Sequence, residues 1–287
     1  MTANNKYKCV NCGEPCSALY RTYGPSVLKL TKCVACKGIV DKYIEYDPVI
    51  VMIDLVLMSK EAQRHILYNT DFKTFWKLFI ILVMLETYAV WRSDSLFSIA
   101  VNTICDIKSS YTINSTNINL PINLSVPESW RNNCRGWVQD SKGDDSDLFI
   151  WEKDFYVQFI STFSGIMIFI TTVHVLMNVL QSFATNNRGN QNFSVSSKRL
   201  LQAFSLANMS TLFALPMLVW GNTDTPPETR LVHYLLVFVY SFIVFCNVFT
   251  VLYESPMLIT ILVLIASNSV KHYTTFHMTP FLRGFVT

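Results

Sequence analysis

Phe155-Tyr156-Val157-Gln158-Phe159-Ile160-Ser161-Thr162-Phe163-Ser164-Gly165-Ile166-Met167-Ile168-Phe169-Ile170 opens a run that reaches Phe183 without one Asp, Glu, Lys or Arg. About 20 apolar residues let a helix cross the hydrocarbon core of a bilayer, so this stretch reads as a membrane span. Working outward, Phe75–Trp91, Ala203–Trp220 and Leu231–Tyr253 read the same way, which makes four expected spans. Met257–Val270 is a fifth candidate. It is short and follows Glu254-Ser255-Pro256, so it reads as a short span, a re-entrant segment or the second half of a kinked helix.

Composition agrees with a chain solvated largely by lipid. Of 287 residues, 51% are hydrophobic, 14% aromatic and only 15% charged, whereas a soluble domain carries about 25% charged residues. A net charge of +3 is too small to mark nucleic acid as a partner. The opening of the chain is polar and cysteine-rich, with no apolar core of a secretory signal. The first span is therefore expected to direct insertion and leave the N-terminus in the cytosol.

Three regions separate: 1–47, polar and cysteine-rich; 48–73, an amphipathic helix; and 74–287, the spans and their loops. Lys60, Arg64, Lys73 and Lys77 flank the first span and mark that side as cytosolic. The loop at 92–154 holds nine acids against six bases, and the glycan acceptors Asn114 and Asn123, which suits a lumenal loop. The segment 184–199 carries Arg188, Lys198 and Arg199 without an acid and is expected in the cytosol, so that Asn192 should carry no glycan. Cys105 and Cys134 lie in the lumenal loop. In a loosely ordered loop they are expected as free thiols, with a disulfide as the alternative.

The pattern that carries chemistry is Cys9-Val10-Asn11-Cys12 followed by Cys33-Val34-Ala35-Cys36. Two C-x2-C pairs at this separation form a zinc-ribbon pattern, because each tight turn sets two thiolates at adjacent corners of a tetrahedron. Short strands are expected in Ser17–Tyr23 and Val27–Leu30, with glycines Gly13 and Gly38 after the pairs. Cys16 is a fifth thiol that fits the spacing less well and reads as a bystander. Four thiolates leave no open coordination position, so zinc here is expected to be structural. The chain has no H-E-x-x-H, G-x-x-x-x-G-K-[ST], G-x-S-x-G or G-x-G-x-x-G run, and we expect no enzyme.

Four polar residues fall at membrane depth: Glu86, His174, Asn178 and Asn208. Ionisable groups there are functional candidates, Glu86 and His174 foremost, although either can instead satisfy a neighbouring helix or reach the interface. Leu85, Tyr88 and Arg92 fit a loose cholesterol-contact pattern that is common by chance. In the second region Asp47-Pro48 starts a helix. Asp54, Glu61 and His65 form a polar stripe on it, and Val51, Leu55 and Met58 an apolar face. The expectation is that this helix contacts the membrane or a partner.

The stretch Tyr7–Asn69 resembles the Arv family of sterol-homeostasis membrane proteins. The resemblance rests on the two C-x2-C pairs, Asp41-Lys42-Tyr43-Ile44-Glu45-Tyr46-Asp47, Asp54, and Arg64-His65-Ile66-Leu67-Tyr68-Asn69. It implies an α-helical polytopic protein of the endoplasmic reticulum membrane with an N-terminal zinc ribbon. It also implies a part in sterol distribution and in glycosylphosphatidylinositol anchor assembly. The implied partners are membrane lipids, sterol foremost, and subunits of anchor-biosynthesis enzymes. Three functions stay open: an accessory protein, a lipid transporter or scramblase acting alone through polar residues of its spans, and a membrane enzyme using Glu86 or His174.

Overall fold

A computed structural model of the protein describes residues 7–24, 28–93, 95–105, 130–137, 148–185, 195–220 and 226–286. Asn114, Asn123, Asn192 and the turn residue Pro25 lie outside these. The fold is mostly helical, with a small strand region at the N-terminus.

That region is two antiparallel hairpins. β1 (Tyr7–Lys8) pairs with β2 (Pro15–Cys16), and β3 (Tyr20–Thr22) pairs with β4 (Leu28–Leu30) in the register Tyr20 to Leu30. The second hairpin falls where the sequence places its strands; the first, wrapped around Cys9 and Cys12, was not anticipated.

Asp47 caps α1 (Pro48–Val56) by accepting a 2.9 Å hydrogen bond from the Val49 amide, with Pro48 in the first turn. Met58, at φ 60°, reverses the chain into α2 (Lys60–Arg64). The last turn, His65–Asn69, widens to π geometry and closes with the Thr70 amide on the His65 carbonyl at 3.1 Å. The two helices thus form a helical hairpin, not one continuous amphipathic helix.

The bundle comprises α3 (Phe75–Trp91), α4 (Leu96–Cys105), α5 (Arg131–Trp137), α6 (Leu148–Thr185), α7 (Ser197–Asn208), a 3-10 stretch (Met209–Ala214), α8 (Leu215–Trp220), α9 (Pro227–Tyr253) and α10 (Met257–Val286). Among the described residues, three helices are long and apolar enough to cross a membrane: α6 over Glu152–Phe183, α9 over Glu228–Tyr253 and α10 over Met257–Phe285. α3 has the bounds read from the sequence, but its 17 residues rise only about 25 Å, short of a bilayer core of about 30 Å. Ala203–Trp220 is not a continuous helix. Pro216 can donate no hydrogen bond and is tolerated only in the first turn of α8, so the chain passes from α7 through the 3-10 stretch. Met257–Val270 is the first half of a full-length helix, separated from α9 by Glu254 in the left-handed conformation and Pro256.

One apolar core joins α3, α6, α7, α9 and α10. Phe169, Phe204 and Phe249 are buried in it with Leu252 and Leu264, and the rings of Phe169, Phe204 and Phe245 meet at 5.7–5.8 Å between centroids. Leu67 and Tyr68 of the helical hairpin belong to the same core. Tyr68 donates to the Leu252 carbonyl at 3.1 Å, and Tyr240 donates to the Val56 carbonyl at 2.7 Å, so the hairpin lies along α9.

α6 packs closely on α10. The Ser161 and Thr279 hydroxyls are 2.8 Å apart, and one turn on, Gly165 faces Thr275 with no room for a Cβ. At the far end of α10, α4 and α5 close over Phe276 through Val101, Phe97, Trp130 and Trp137. This brings Cys105 and Cys134 to a Cα separation of 5.3 Å, and they form a disulfide. The expectation of free thiols fails because the two ends of the loop are packed against α10. The Trp137 indole donates to the Phe276 carbonyl at 3.0 Å, and Arg283 pairs with Asp154 at 2.7 Å.

Gly165→Ala should lower stability by about 1–3 kcal/mol through overpacking, and Thr275→Ala in the same chain should recover most of it. Thermal unfolding in detergent reads both; equal melting of wild type and Gly165→Ala would refute the close contact.

Candidate metal centre

Each C-x2-C pair sits on a tight turn whose amides point back at the first sulfur. The amides of Asn11 and Cys12 face Cys9, and those of Ala35 and Cys36 face Cys33. The turns close with Gly13 N on the Cys9 carbonyl at 2.9 Å and Lys37 N on the Cys33 carbonyl at 3.1 Å. Both closing residues are left-handed, Gly13 at φ 84° and Lys37 at φ 63°. In the second turn the left-handed position is therefore Lys37, not Gly38.

The two turns bring Cys9, Cys12, Cys33 and Cys36 together, with all four sulfurs within 4.8 Å of one another. Cys9 and Cys36 are 3.7 Å apart at sulfur, and Cys12 and Cys33 are 3.6 Å apart. These separations far exceed an S–S bond of about 2.05 Å. They match the edge of a tetrahedron with zinc–sulfur bonds of about 2.3 Å, which is about 3.8 Å. Burial pushes the Cys9 thiol up to about 12, whereas the Cys36 amide foremost brings Cys33 down to about 6. A divalent cation would favour the thiolate at all four positions. The donor set fits a metal ion and is compatible with zinc. Cys16 is not part of the group; its sulfur lies 3.5 Å from the Glu14 carbonyl, and burial raises it to about 11.

The ribbon is bound to the helical hairpin by a buried polar clamp. Asp41 is fully buried, and its Oδ1 accepts from the Tyr43 amide at 3.0 Å. Its Oδ2 accepts from Asn69 Nδ2 at 2.7 Å and lies 2.7 Å from His65 Nδ1. A carboxylate only accepts, so that ring nitrogen carries the proton. Asn69 also accepts from the Lys8 amide at 3.0 Å and donates to the Lys8 carbonyl at 2.9 Å, pairing with β1 as a strand would. Arg64 donates to the Val10 and Asn11 carbonyls at 2.7 Å each, bracing the first cysteine turn. Tyr43 donates to Asp54 at 2.7 Å, and Lys42 pairs with Glu61.

The polar stripe Asp54, Glu61 and His65 is therefore consumed inside the protein. Leu55 likewise packs against both the ribbon core and the bundle core. The apolar surface that α1 leaves exposed is a different set, Val49, Ile50, Met52, Ile53, Val56 and Leu57. Asp41 and Asn69 enter the sequence reading only as members of the family-like stretches, without a role of their own, because their partners are far along the chain.

The residues at membrane depth divide. His174 is satisfied locally, by Tyr253 at 3.2 Å and Asn178 at 3.1 Å. Glu86 pairs with Lys271 of α10. Arg92 and Tyr88 bond to each other at 3.1 Å.

Elemental analysis of the purified chain should find one zinc per four-cysteine group, lost in Cys9→Ser or Cys33→Ser and kept in Cys16→Ser. Lys37→Gly should relieve about 1 kcal/mol of left-handed strain and slow metal release to a chelator. Metal loss in Cys16→Ser would contradict the ligand set.

The Arv1-like family model matches residues 8–245. Human Protein ARV1 is 44% identical over 90 residues, covering 31% of this chain and 33% of the human protein. Mouse Protein ARV1 is 28% identical over 226 residues, covering 79% of this chain and 68% of the mouse protein. Protein ARV 2 of Arabidopsis thaliana is 36% identical over 93 residues, covering 30% of this chain and 41% of that protein. The matches to the human and cattle relatives thus span about a third of those proteins' length. No solved structure matches. With a family match running from β1 into α9, the chain belongs to the Arv1-like family.

Proposed function

We propose that this chain is a multi-pass protein of the endoplasmic reticulum membrane that mediates lipid homeostasis. It acts in sterol distribution and as an accessory to glycosylphosphatidylinositol anchor biosynthesis. A structural zinc on Cys9, Cys12, Cys33 and Cys36 holds the ribbon in shape, and the ribbon is the face that an enzyme partner meets. The carrying observation is the Asp41–His65–Asn69 clamp, which ties the ribbon's shape to the membrane bundle. Four thiolates leave the metal no open position, so its contribution is shape and not chemistry.

Redox chemistry supports a cytosolic ribbon. Lys8 of β1 pairs with Glu254, just before α10, whereas the disulfide packs on Phe276. From Met257 to Phe276 the helix rises about 28 Å, close to the thickness of a bilayer core. Thiols at one end and a disulfide at the other suit a reducing compartment and an oxidising one. A carrier acting alone is a second reading, favoured by the Glu86–Lys271 pair between α3 and α10.

Asp41→Ala leaves the buried His65 Nδ1 without its partner and Asn69 with only its Lys8 bonds, at a cost of about 1–3 kcal/mol. In cells lacking their own family member, this variant should insert into the membrane but fail to restore sterol distribution and anchor assembly. Full restoration with the ribbon released to protease would show that the clamp has no part in function.

A further inference from the structure

α1 has no polar face turned to its surroundings. Val49, Ile50, Met52, Ile53, Val56 and Leu57 are exposed on it. At about 100° per residue they span about 160° of the helix surface. Behind them Val51 is buried, and Leu55 packs on both the ribbon core and the bundle core. Asp54, the helix's only ionisable residue, takes a 2.7 Å hydrogen bond from Tyr43. A helix apolar all round belongs in a protein core or in a bilayer; at a water surface it would show a charged stripe.

The place of α1 in the fold chooses between these. The Tyr240 hydroxyl donates to the Val56 carbonyl, so the end of α1 rests on α9 at that residue. Tyr240 is near the middle of the span Glu228–Tyr253, about 20 Å from Tyr253, beyond which Glu254 meets the ribbon at Lys8. Leu236 and Ile243, one turn to either side on α9, are exposed, and so is Phe213, whose ring meets that of Tyr240 at 5.3 Å. The surroundings of the middle of a span are hydrocarbon, and the outer face of α1 continues that surface.

The end of α1 is finished as an end in hydrocarbon must be. The carbonyls of a helix's last turn lack helical partners. Here Ile53 accepts from the Leu57 amide at 2.9 Å, Asp54 from the Ser59 amide at 2.9 Å, Leu55 from the Met58 amide at 3.0 Å, and Val56 from Tyr240 at 2.7 Å. Met58 takes the left-handed position usual for glycine, and its side chain packs against the bundle core. Water would serve such carbonyls unaided, whereas in a bilayer each needs a partner. Lys60, exposed just past the turn, has a stem long enough to carry its ammonium toward the headgroups.

We propose that α1 is embedded in the bilayer leaflet on the ribbon's side, its outer face among the acyl chains, and that it fixes the ribbon against the membrane surface through the Tyr43–Asp54 bond. Lipid, not protein, is the occupant of this face. It offers only aliphatic and thioether side chains, without the tyrosine, tryptophan or arginine that anchor protein interfaces. The inference is independent of the lipid-homeostasis reading and asks only that α9 spans the bilayer.

The test places a small fluorescent amino acid at Ile53 of the full chain, in phosphatidylcholine nanodiscs large enough for two copies. Matched variants carry it at Leu236, on the exposed side of α9, and at Tyr23, 66% exposed on the ribbon. Phosphatidylcholine with a nitroxide on its acyl chain should quench the label at Ile53 as strongly as at Leu236. Iodide in the buffer should quench the label at Tyr23 and lose its effect at Ile53. A label at Met52 gives the same reading if the Ile53 variant does not fold. Quenching at Ile53 by iodide and not by the nitroxide lipid would overturn the proposal. Shielding from both quenchers would overturn it too, because a second copy of the chain would then cover the face.

Discussion

One fully buried carboxylate, Asp41, holds the two halves of this protein together. It sits at the ribbon's edge and takes hydrogen bonds from its own chain at Tyr43 and from the helical hairpin at Asn69, with His65 in contact. A buried carboxylate is tolerable only with such partners, so the ribbon and the π-helical turn must arrive together. The wide turn at His65–Asn69 explains how both side chains reach one oxygen: π geometry places residues four apart differently from an α-helix. The same turn carries Leu67 and Tyr68 into the bundle core. Ribbon, hairpin and bundle are thereby one packed unit.

The bundle gives that unit two chemically different ends. At one end lie the four grouped cysteines and the pairing of Lys8 with Glu254; at the other, α4 and α5 are stapled by a disulfide against α10. Between them, contacts characteristic of membrane helices replace a hydrophobic drive: Gly165 against Thr275, Ser161 against Thr279, Glu86 against Lys271. α10 takes part in all three, which is why a segment of modest hydropathy still forms a full-length helix.

How much of this was legible in the sequence follows the range of the interactions. The cysteine group was readable because each C-x2-C turn is local, and so was the Asp47 cap on α1. The α3 bounds and the long runs of α6 and α9 followed from apolar length alone. Ala203–Trp220 misled because apolar composition does not report continuity, and Pro216 breaks the ladder inside it. The second half of α10 was hidden because Lys271, His272 and Thr275 look like a boundary until Glu86, Phe97 and Ser161 arrive from other helices to meet them. The polar stripe on the hairpin was visible, but its direction was not. Asp54 and His65 face Tyr43 and Asp41, residues whose approach depends on the folded ribbon.

The Asp41 contacts make the four-cysteine ribbon mechanically continuous with the membrane bundle. Hydrogen exchange on the full chain in nanodiscs, before and after metal chelation, tests it most directly. With that continuity, chelation removes protection from the ribbon and from His65–Asn69 together, while α6 and α10 keep theirs. Loss of ribbon protection with His65–Asn69 unchanged would contradict it.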